Sequence, residues 1–290
     1  MKRLFDTTID YFSLVKFSHT VFALPFALIG YFIGALQPGF GFSLRTFLLM
    51  LACMVLARSA AMAFNRYADV RFDSLNPRTA GREIPSGKIS ERNALVFVIA
   101  SSILFIAATA FLNRLTLILS PVALLIILGY SYTKRFTTLC HLVLGLGLSL
   151  APIGAYIAVT GEFALLPVIY SLIVITWVSG FDIIYALQDD QFDRETGLHS
   201  IPAKMSRREA LMVSATLHSV SFMLVSTAGL VGQAGIIYWV GALVFSGMLV
   251  YQHLIVKPDD LSRVNRAFAT TNGVAGVIFG LAVILDLLVF

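Results

Sequence analysis

The stretch LLMLACMVLARSAAMAFNRYADVRFD, residues 48–73, decides the fold. Most of it is an apolar run of the length that crosses a bilayer, since a membrane-spanning helix needs about 20 mostly apolar residues. Its end carries Asn65, Asp69 and Asp73 at positions i, i+4 and i+8, a spacing that puts all three on one helical face. The stretch therefore predicts a membrane helix that ends in an acidic stripe.

The rest of the chain continues the apolar pattern. The 290 residues are 58% hydrophobic and 13% charged, whereas soluble domains are about 45–50% apolar and about 25% charged. We expect an all-α integral membrane protein, a bundle of nine transmembrane helices around a central cavity that forms one domain over residues 1–290. The nine stretches lie at 14–36, 44–66, 93–113, 115–131, 139–159, 163–187, 209–230, 233–252 and 266–288. Only the polar pair Asn113 and Arg114 separates the third stretch from the fourth, so eight spans stay an alternative.

The cations predict the orientation of this bundle. With a cytoplasmic N-terminus, nearly all lysines and arginines fall on the cytoplasmic side, as they do in inserted membrane proteins. The opposite side holds only Arg45 and Arg114, and Arg58 lies inside the second stretch. The net charge of +5 is then explained by loops that face anionic lipid headgroups, without a nucleic-acid partner.

A second acidic motif ends the sixth stretch, in DIIYALQDDQFD, residues 182–193. Asp182, Asp189 and Asp193 follow a spacing of i, i+7 and i+11, which again selects one face, with Tyr185 beside it. Both motifs end a span on the same side, so we expect the two acidic stripes to face each other across one cavity.

Facing aspartates in a membrane bundle need a compensating partner, because each carboxylate costs roughly 2.5–3.5 kcal/mol to insert. Magnesium takes oxygen ligands and commonly uses one or two carboxylates with substrate phosphate. We therefore expect Mg²⁺ as cofactor, with Asp69, Asp73, Asp189 and Asp193 as catalytic and metal-binding residues and Asn65 as a further metal ligand. The alternative is that these aspartates form only salt bridges with nearby arginines, namely Arg66, Arg71 and Arg194.

Four segments of the sequence match the patterns of a known family. NRYADVRFD matches NDxxDxxxD except that Arg66 replaces the second-position acid, and DxxYxxxDxxxD is complete at residues 182–193. PRTAGREIPSG, residues 77–87, is similar to xRTxxRPLPSG, with Glu83 in place of a proline, and YSYTKRFT, residues 130–137, is similar to a Yxxx-KRxT segment. On these motifs the chain resembles the UbiA superfamily of membrane prenyltransferases over nearly its whole length.

The resemblance implies magnesium-dependent transfer of a polyprenyl chain from an allylic diphosphate to an aromatic acceptor, inside a bacterial inner membrane with the active site facing the cytoplasm. It implies that Arg58 pairs with the carboxylate of an aromatic acid, and that Arg66 contacts either the diphosphate or a neighbouring aspartate. The other residues that we expect to bind substrate are Lys16, Asn65, Arg82, Lys134, Arg135, Asp182 and Tyr185.

Within the family, the acceptor that we expect first is 4-hydroxybenzoate, in the synthesis of a respiratory quinone. A naphthoate-type menaquinone precursor is the alternative, because both acceptors are aromatic acids and Arg58 does not separate them. An ion-coupled transporter is a rival of another class, since acidic residues within spans also mark ion pathways. Transport predicts charges near the middle of the bilayer, whereas these aspartates cluster at one rim.

Overall fold

A computed structural model describes residues 10–15 and 22–290. Within these ranges the chain is helical and contains no β-strand. Lys16 lies outside the described residues. Twelve α-helices, a short 3₁₀ turn and a π-helical turn follow one another: α1 (Leu24–Ala35), α2 (Leu44–Ala68), α3 (Val70–Leu75), α4 (Glu91–Ala110), α5 (Arg114–Thr133), α6 (Cys140–Thr160), α7 (Leu165–Ala186), 3₁₀ (Leu187–Asp189), α8 (Asp190–Glu195), α9 (Ile201–Lys204), α10 (Arg207–Val231), α11 (Ile236–Ile255), π (Arg266–Thr271) and α12 (Asn272–Val289).

Eight helical segments of the described chain are long and apolar enough to cross a membrane, which agrees with an integral membrane protein. They correspond to the second to ninth predicted stretches. Of the first stretch the structure describes α1, whose 12 residues are apolar but shorter than a span. The eight later stretches are therefore confirmed as helices long and apolar enough to span a membrane. The first stretch as a span and the cytoplasmic N-terminus stay predictions.

The third and fourth stretches are two separate helices. Asn113 caps α5, because its Oδ1 accepts a hydrogen bond from Thr116 N at 2.9 Å. Its Nδ2 donates to Ile157 O on α6, at 2.6 Å. Asn113 thus caps the start of α5 and bonds it to the neighbouring helix α6. The alternative in which the third and fourth stretches merge is wrong.

Helix α7 is the most enclosed span, and it carries the second acidic motif. Trp177 and Ile173 are fully buried on it, and α6 and α10 pack along its sides. Helix α1 approaches α6 so closely that a Cβ added at Gly30 would lie 2.0 Å from Pro152 O. Since apolar lipid gives no net drive for helix association, such close backbone approach is what holds membrane helices together.

Candidate active site

The spacing of the first acidic motif predicted one straight helix, but the structure breaks the helix within the motif. Helix α2 ends at Ala68, and Asp69 takes the cap position with φ −96° and ψ 8° before α3 begins. Asn65 Nδ2 donates to Asp69 Oδ2 at 3.1 Å across this break. Asn65, Asp69 and Asp73 nevertheless line one polar pocket.

The second motif bends in the same manner. Helix α7 ends at Ala186, a 3₁₀ turn carries Asp189, and α8 carries Asp193. Asp182, Tyr185, Asp189 and Asp193 line the same polar pocket as the first motif. Asn76, directly after α3, donates from Nδ2 to Asp189 Oδ1 at 3.0 Å, so the segment that follows the first motif contacts the second motif. The prediction of two acidic faces around one cavity therefore agrees with the geometry.

Each of the four predicted metal-binding aspartates faces its own cation. Arg82 Nη1 lies 2.6 Å from Asp73 Oδ1, and Lys134 Nζ lies 3.1 Å from Asp193 Oδ1. Arg135 Nη2 lies 3.5 Å from Asp69 Oδ1, and Arg78 forms a two-point ion pair with Asp189. The four carboxylates are thus each paired with a cation, two of them with arginines of the loop between α3 and α4 and two with residues directly after α5.

Burial and neighbouring charges shift the pKa values of two of these groups, Asp69 and Lys134, which lie outside the spans. Burial raises the pKa of Asp69, and the nearby Asp73 carboxylate adds to the rise while Lys134 opposes it. Burial alone would lower the pKa of Lys134, but the Asp193 carboxylate at its side raises it above the ordinary value. Lys134 therefore keeps its charge, and it balances the fully buried Asp193.

The donor set fits a hard divalent cation. Within the described part of the chain, no donor reaches the buried Asp73 Oδ2, and Asp193 Oδ1 accepts no well-oriented hydrogen bond although Lys134 is close. Magnesium favours such carboxylate oxygens and completes its octahedron with water and substrate phosphate. Among the described residues no three His, Cys, Asp or Glu side chains are close enough together to hold a metal. The residues therefore suit a metal that shares its coordination with a diphosphate, rather than a closed protein cage.

Three predicted substrate residues lie away from the centre of the polar pocket. Arg135 contacts Asp69 and stacks against Tyr132 at its edge, and it is not among the residues that line the pocket. Arg66 also does not line the pocket, and its buried Nε has no hydrogen-bond partner in residues 10–15 and 22–290. Arg58 lines a second cavity, which is apolar and is enclosed by α2, α4, α5 and α6.

The apolar cavity adjoins the polar pocket, because Tyr130 lines both. Its walls include Met54, Phe105 and Ile127, and Arg58 is its one charged lining residue in the part of the chain described. Arg58 Nε is buried, and none of the residues that the structure describes forms a hydrogen bond with it. A polar pocket with paired charges therefore lies next to an apolar cavity that is lined by the Arg58 guanidinium.

Sequence reasoning did not single out several residues of the polar pocket, three of which contact Asp182 or Asp189. Asn76 and Arg78, in the segment between α3 and α4, bind Asp189, and His141 contacts Asp182 at 2.7 Å. Arg78 was within reach of a sequence argument, since it precedes Thr79 in the matched loop pattern. His141 was not, because its contact joins residues 41 positions apart on two helices.

Comparison with known proteins agrees with this architecture. The model of the UbiA prenyltransferase family matches residues 23–275. A 4-hydroxybenzoate octaprenyltransferase of Francisella tularensis subsp. novicida is 29% identical over 231 residues, which cover 80% of this chain and 81% of the relative.

Two solved structures share the fold. The apo structure of a UbiA homologue from Aeropyrum pernix K1 superposes with a TM-score of 0.83 at 36% identity, over 92% of this chain and 98% of that one. A UbiA homologue from Archaeoglobus fulgidus bound to DMAPP and Mg²⁺ gives a TM-score of 0.74 at 20% identity, over 97% of this chain and the whole of that one. The chain belongs to the UbiA prenyltransferase family and is a transferase of alkyl groups other than methyl.

Proposed function

We propose that the protein transfers a polyprenyl chain from an allylic diphosphate to an aromatic acid, with Mg²⁺ as cofactor, in the synthesis of a respiratory quinone. The observation that carries this proposal is the junction of the two cavities at Tyr130. The polar pocket suits a metal-bound diphosphate, and the apolar cavity suits a hydrocarbon chain and an aromatic ring. One substrate that bridges both is an isoprenoid diphosphate.

The diphosphate half of the proposal rests on the four ion pairs. Asp69, Asp73, Asp189 and Asp193, with Asn65, would hold the metal, which when bound acts as a Lewis acid on the leaving group. Arg78, Arg82 and Lys134 line the pocket and are the charges that an incoming diphosphate meets. When these three side chains leave the aspartates and bind phosphate oxygens, the aspartates are free to bind the metal and the charges in the pocket stay paired. The same side chains stabilise the negative charge that develops as the allylic C–O bond breaks.

The acceptor half rests on Arg58. A guanidinium binds a carboxylate through two parallel hydrogen bonds, and a cation without a partner in an apolar cavity is costly unless a ligand supplies the anion. An aromatic acid places its carboxylate at Arg58 and its ring in the apolar cavity. The same walls exclude water, which would otherwise capture the allylic cation.

Among aromatic acids we propose 4-hydroxybenzoate first. The Francisella relative carries that name, and the phenol hydroxyl of this acid makes the carbon beside it electron-rich and ready for attack. A naphthoate-type menaquinone precursor satisfies Arg58 equally. We also propose that the pocket faces the cytoplasm of a bacterial inner membrane, since the basic loops lie at that end of the bundle.

The test is product analysis with purified membranes. Labelled farnesyl or longer diphosphate is incubated with Mg²⁺ and a panel of acids, including 4-hydroxybenzoate and a hydroxynaphthoate, and each product is identified by mass. We expect a C-prenylated aromatic acid. Absence of any prenylated acid, with the diphosphate intact, would contradict the proposal.

A further inference from the structure

Asp182 has a different partner from the other aspartates of the polar pocket. Its Oδ2 lies 2.7 Å from Nδ1 of His141. Asp69, Asp73, Asp189 and Asp193 each pair with a lysine or an arginine, whereas no such ion pair of Asp182 is found in residues 10–15 and 22–290. The charge of Asp182 is therefore not cancelled in the way the other four are.

The hydrogen bonds of His141 determine its tautomer. The backbone N–H of Ile201 points at His141 Nε2 from 3.3 Å. A backbone N–H only donates, so Nε2 carries the lone pair and the ring proton lies on Nδ1. On this hydrogen-bond geometry His141 is assigned as a neutral imidazole that donates to Asp182. The backbone carbonyl of His141 accepts from Ser179 Oγ at 3.0 Å, which fixes the residue to α7 as well.

Asp182 lies within the membrane-spanning helix α7, whereas Asp189 and Asp193 follow its end. It precedes Asp189 and Asp193 by seven and eleven residues along the same segment, and its side chain keeps 22% exposure toward the polar pocket. Its carboxylate is within electrostatic reach of Tyr130, which lines both cavities. Asp182 thus lies in the polar pocket, near the residue that joins it to the apolar cavity, where the proposed reaction brings the acceptor ring to the allylic carbon.

We propose that Asp182 is the base that removes the ring proton, and that His141 is the positioning residue that orients it. This inference rests on the proposed function. The C–C bond forms as the diphosphate leaves with the electron pair of the allylic C–O bond. The C–H bond at the attacked ring carbon then breaks, its electron pair restores the aromatic ring, and the proton passes to Asp182 Oδ1.

The choice of Asp182 follows from its partner. A carboxylate that pairs with an arginine or a metal is a weak base, because the neighbouring cation favours its ionised form. A neutral donor such as the His141 imidazole orients the carboxylate and leaves much of its basicity in place. Asp182 is therefore the motif aspartate best suited to accept a proton.

The loop before α9 links this base to the metal-binding side of the pocket. Ser200 Oγ donates to Asp193 Oδ2 at 2.8 Å, and the next residue, Ile201, donates to His141. Two neighbouring residues therefore hold Asp193 and, through His141, Asp182. One loop conformation fixes the positions of both carboxylates.

The experiment separates bond ionisation from proton removal. Ionisation is followed by positional isotope exchange in an allylic diphosphate labelled with ¹⁸O at the bridging oxygen. Proton removal is followed by prenylation of 4-hydroxybenzoate that carries deuterium or hydrogen at the ring carbons beside the hydroxyl. The proteins are the wild type and the variants Asp182→Asn, His141→Leu and His141→Asn, with Asp190→Asn as a matched control, because Asp190 lies outside the pocket and pairs with Arg207.

We expect Asp182→Asn to lower product formation by at least about a hundred-fold, the usual range for loss of a general base, while isotope exchange continues. A primary deuterium effect should appear in Asp182→Asn and His141→Leu, because proton removal becomes the slow step. His141→Asn should recover most of the loss, since its amide N–H replaces Nδ1–H. Asp190→Asn should behave as the wild type does.

Equal loss of exchange and of product in Asp182→Asn and His141→Leu, with no deuterium effect, would overturn the inference. So would wild-type turnover in Asp182→Asn. A wild-type protein that neither exchanges the label nor prenylates any acid contradicts the proposed function itself. Exchange in the same variant preparation shows that the pocket is folded.

Discussion

The polar pocket and the apolar cavity share Tyr130, yet they differ in how charge is balanced. In the polar pocket each metal-binding aspartate has a cation beside it. In the apolar cavity the Nε of Arg58 is buried and has no hydrogen-bond partner among the described residues. The pocket is therefore ready to exchange existing partners for metal and diphosphate, whereas no described acidic side chain lines the cavity. On this difference the proposed function places the diphosphate in the polar pocket and the acceptor carboxylate in the apolar cavity.

Removal of metal gives the largest expected effect and tests the polar pocket as a whole. Without a divalent cation, four carboxylates and a diphosphate repel each other, so we expect EDTA to abolish transfer and Mg²⁺ to restore it. The measurement is product formation in washed membranes. Full activity in excess EDTA would mean that the pocket works through its lysine and arginines alone.

Substitution of one motif aspartate comes next. Asp69→Ala and Asp189→Ala should each reduce turnover by at least about a hundred-fold, as loss of one group that stabilises developing charge commonly does. Asp190→Ala is the matched control, because Asp190 follows Asp189 directly but does not line the pocket. Normal turnover in either motif variant at saturating Mg²⁺ contradicts the assignment.

Arg58→Met sharpens the contrast between the two regions. It removes the charge and keeps much of the side-chain length, so the KM for the aromatic acid should rise by about a hundred-fold, as for loss of one partner of a buried charge pair. The KM for the prenyl diphosphate should stay near the wild-type value. Arg58→Lys should recover part of the loss. An equal rise in both KM values would indicate that Arg58 stabilises the helix bundle rather than binding the acceptor.

A side chain added to the cavity wall should give the smallest effect. Gly154 lines the apolar cavity, and a Cβ there meets no atom within 4 Å. Gly154→Leu should therefore fill part of the cavity and disfavour the longer of two prenyl diphosphates by roughly ten-fold in kcat/KM, the usual scale for apolar pocket discrimination. The control is Gly247→Leu, since Gly247 is equally open and lies on α11, away from the cavity. The same chain-length preference in both variants would contradict the role of the cavity.

The spans and the convergence of the motifs were predictable from sequence. Apolar runs of about 20 residues have one stable form in a bilayer, a helix, since backbone groups must be satisfied within the segment. The polar pair Asn113 and Arg114 marked a true helix start. Two acidic motifs that end two spans on the same side were expected to meet, and Asp69 and Asp189 line one pocket. Short connections between the spans leave few ways to pack the helices that would keep these ends apart.

The partners of these residues were not predictable. Helical periodicity describes a straight helix, so it did not show the breaks at Asp69 and at the 3₁₀ turn that carries Asp189. It also could not show that Arg66 packs outside the polar pocket while Arg78 enters it. The contact between His141 and Asp182 depends on how α6 and α7 are rotated against each other, and spacing within one helix holds no information on that rotation.

The central claim is that the two motifs hold one metal-bound diphosphate together. The most direct measurement is the binding of a farnesyl thiolodiphosphate, in which sulfur replaces the bridging oxygen, to purified wild-type protein and to Asp69→Asn and Asp189→Asn. We predict that the wild type binds it only with Mg²⁺ and that either substitution alone removes this Mg²⁺-dependent binding. Undiminished Mg²⁺-dependent binding after loss of either carboxylate would contradict the account.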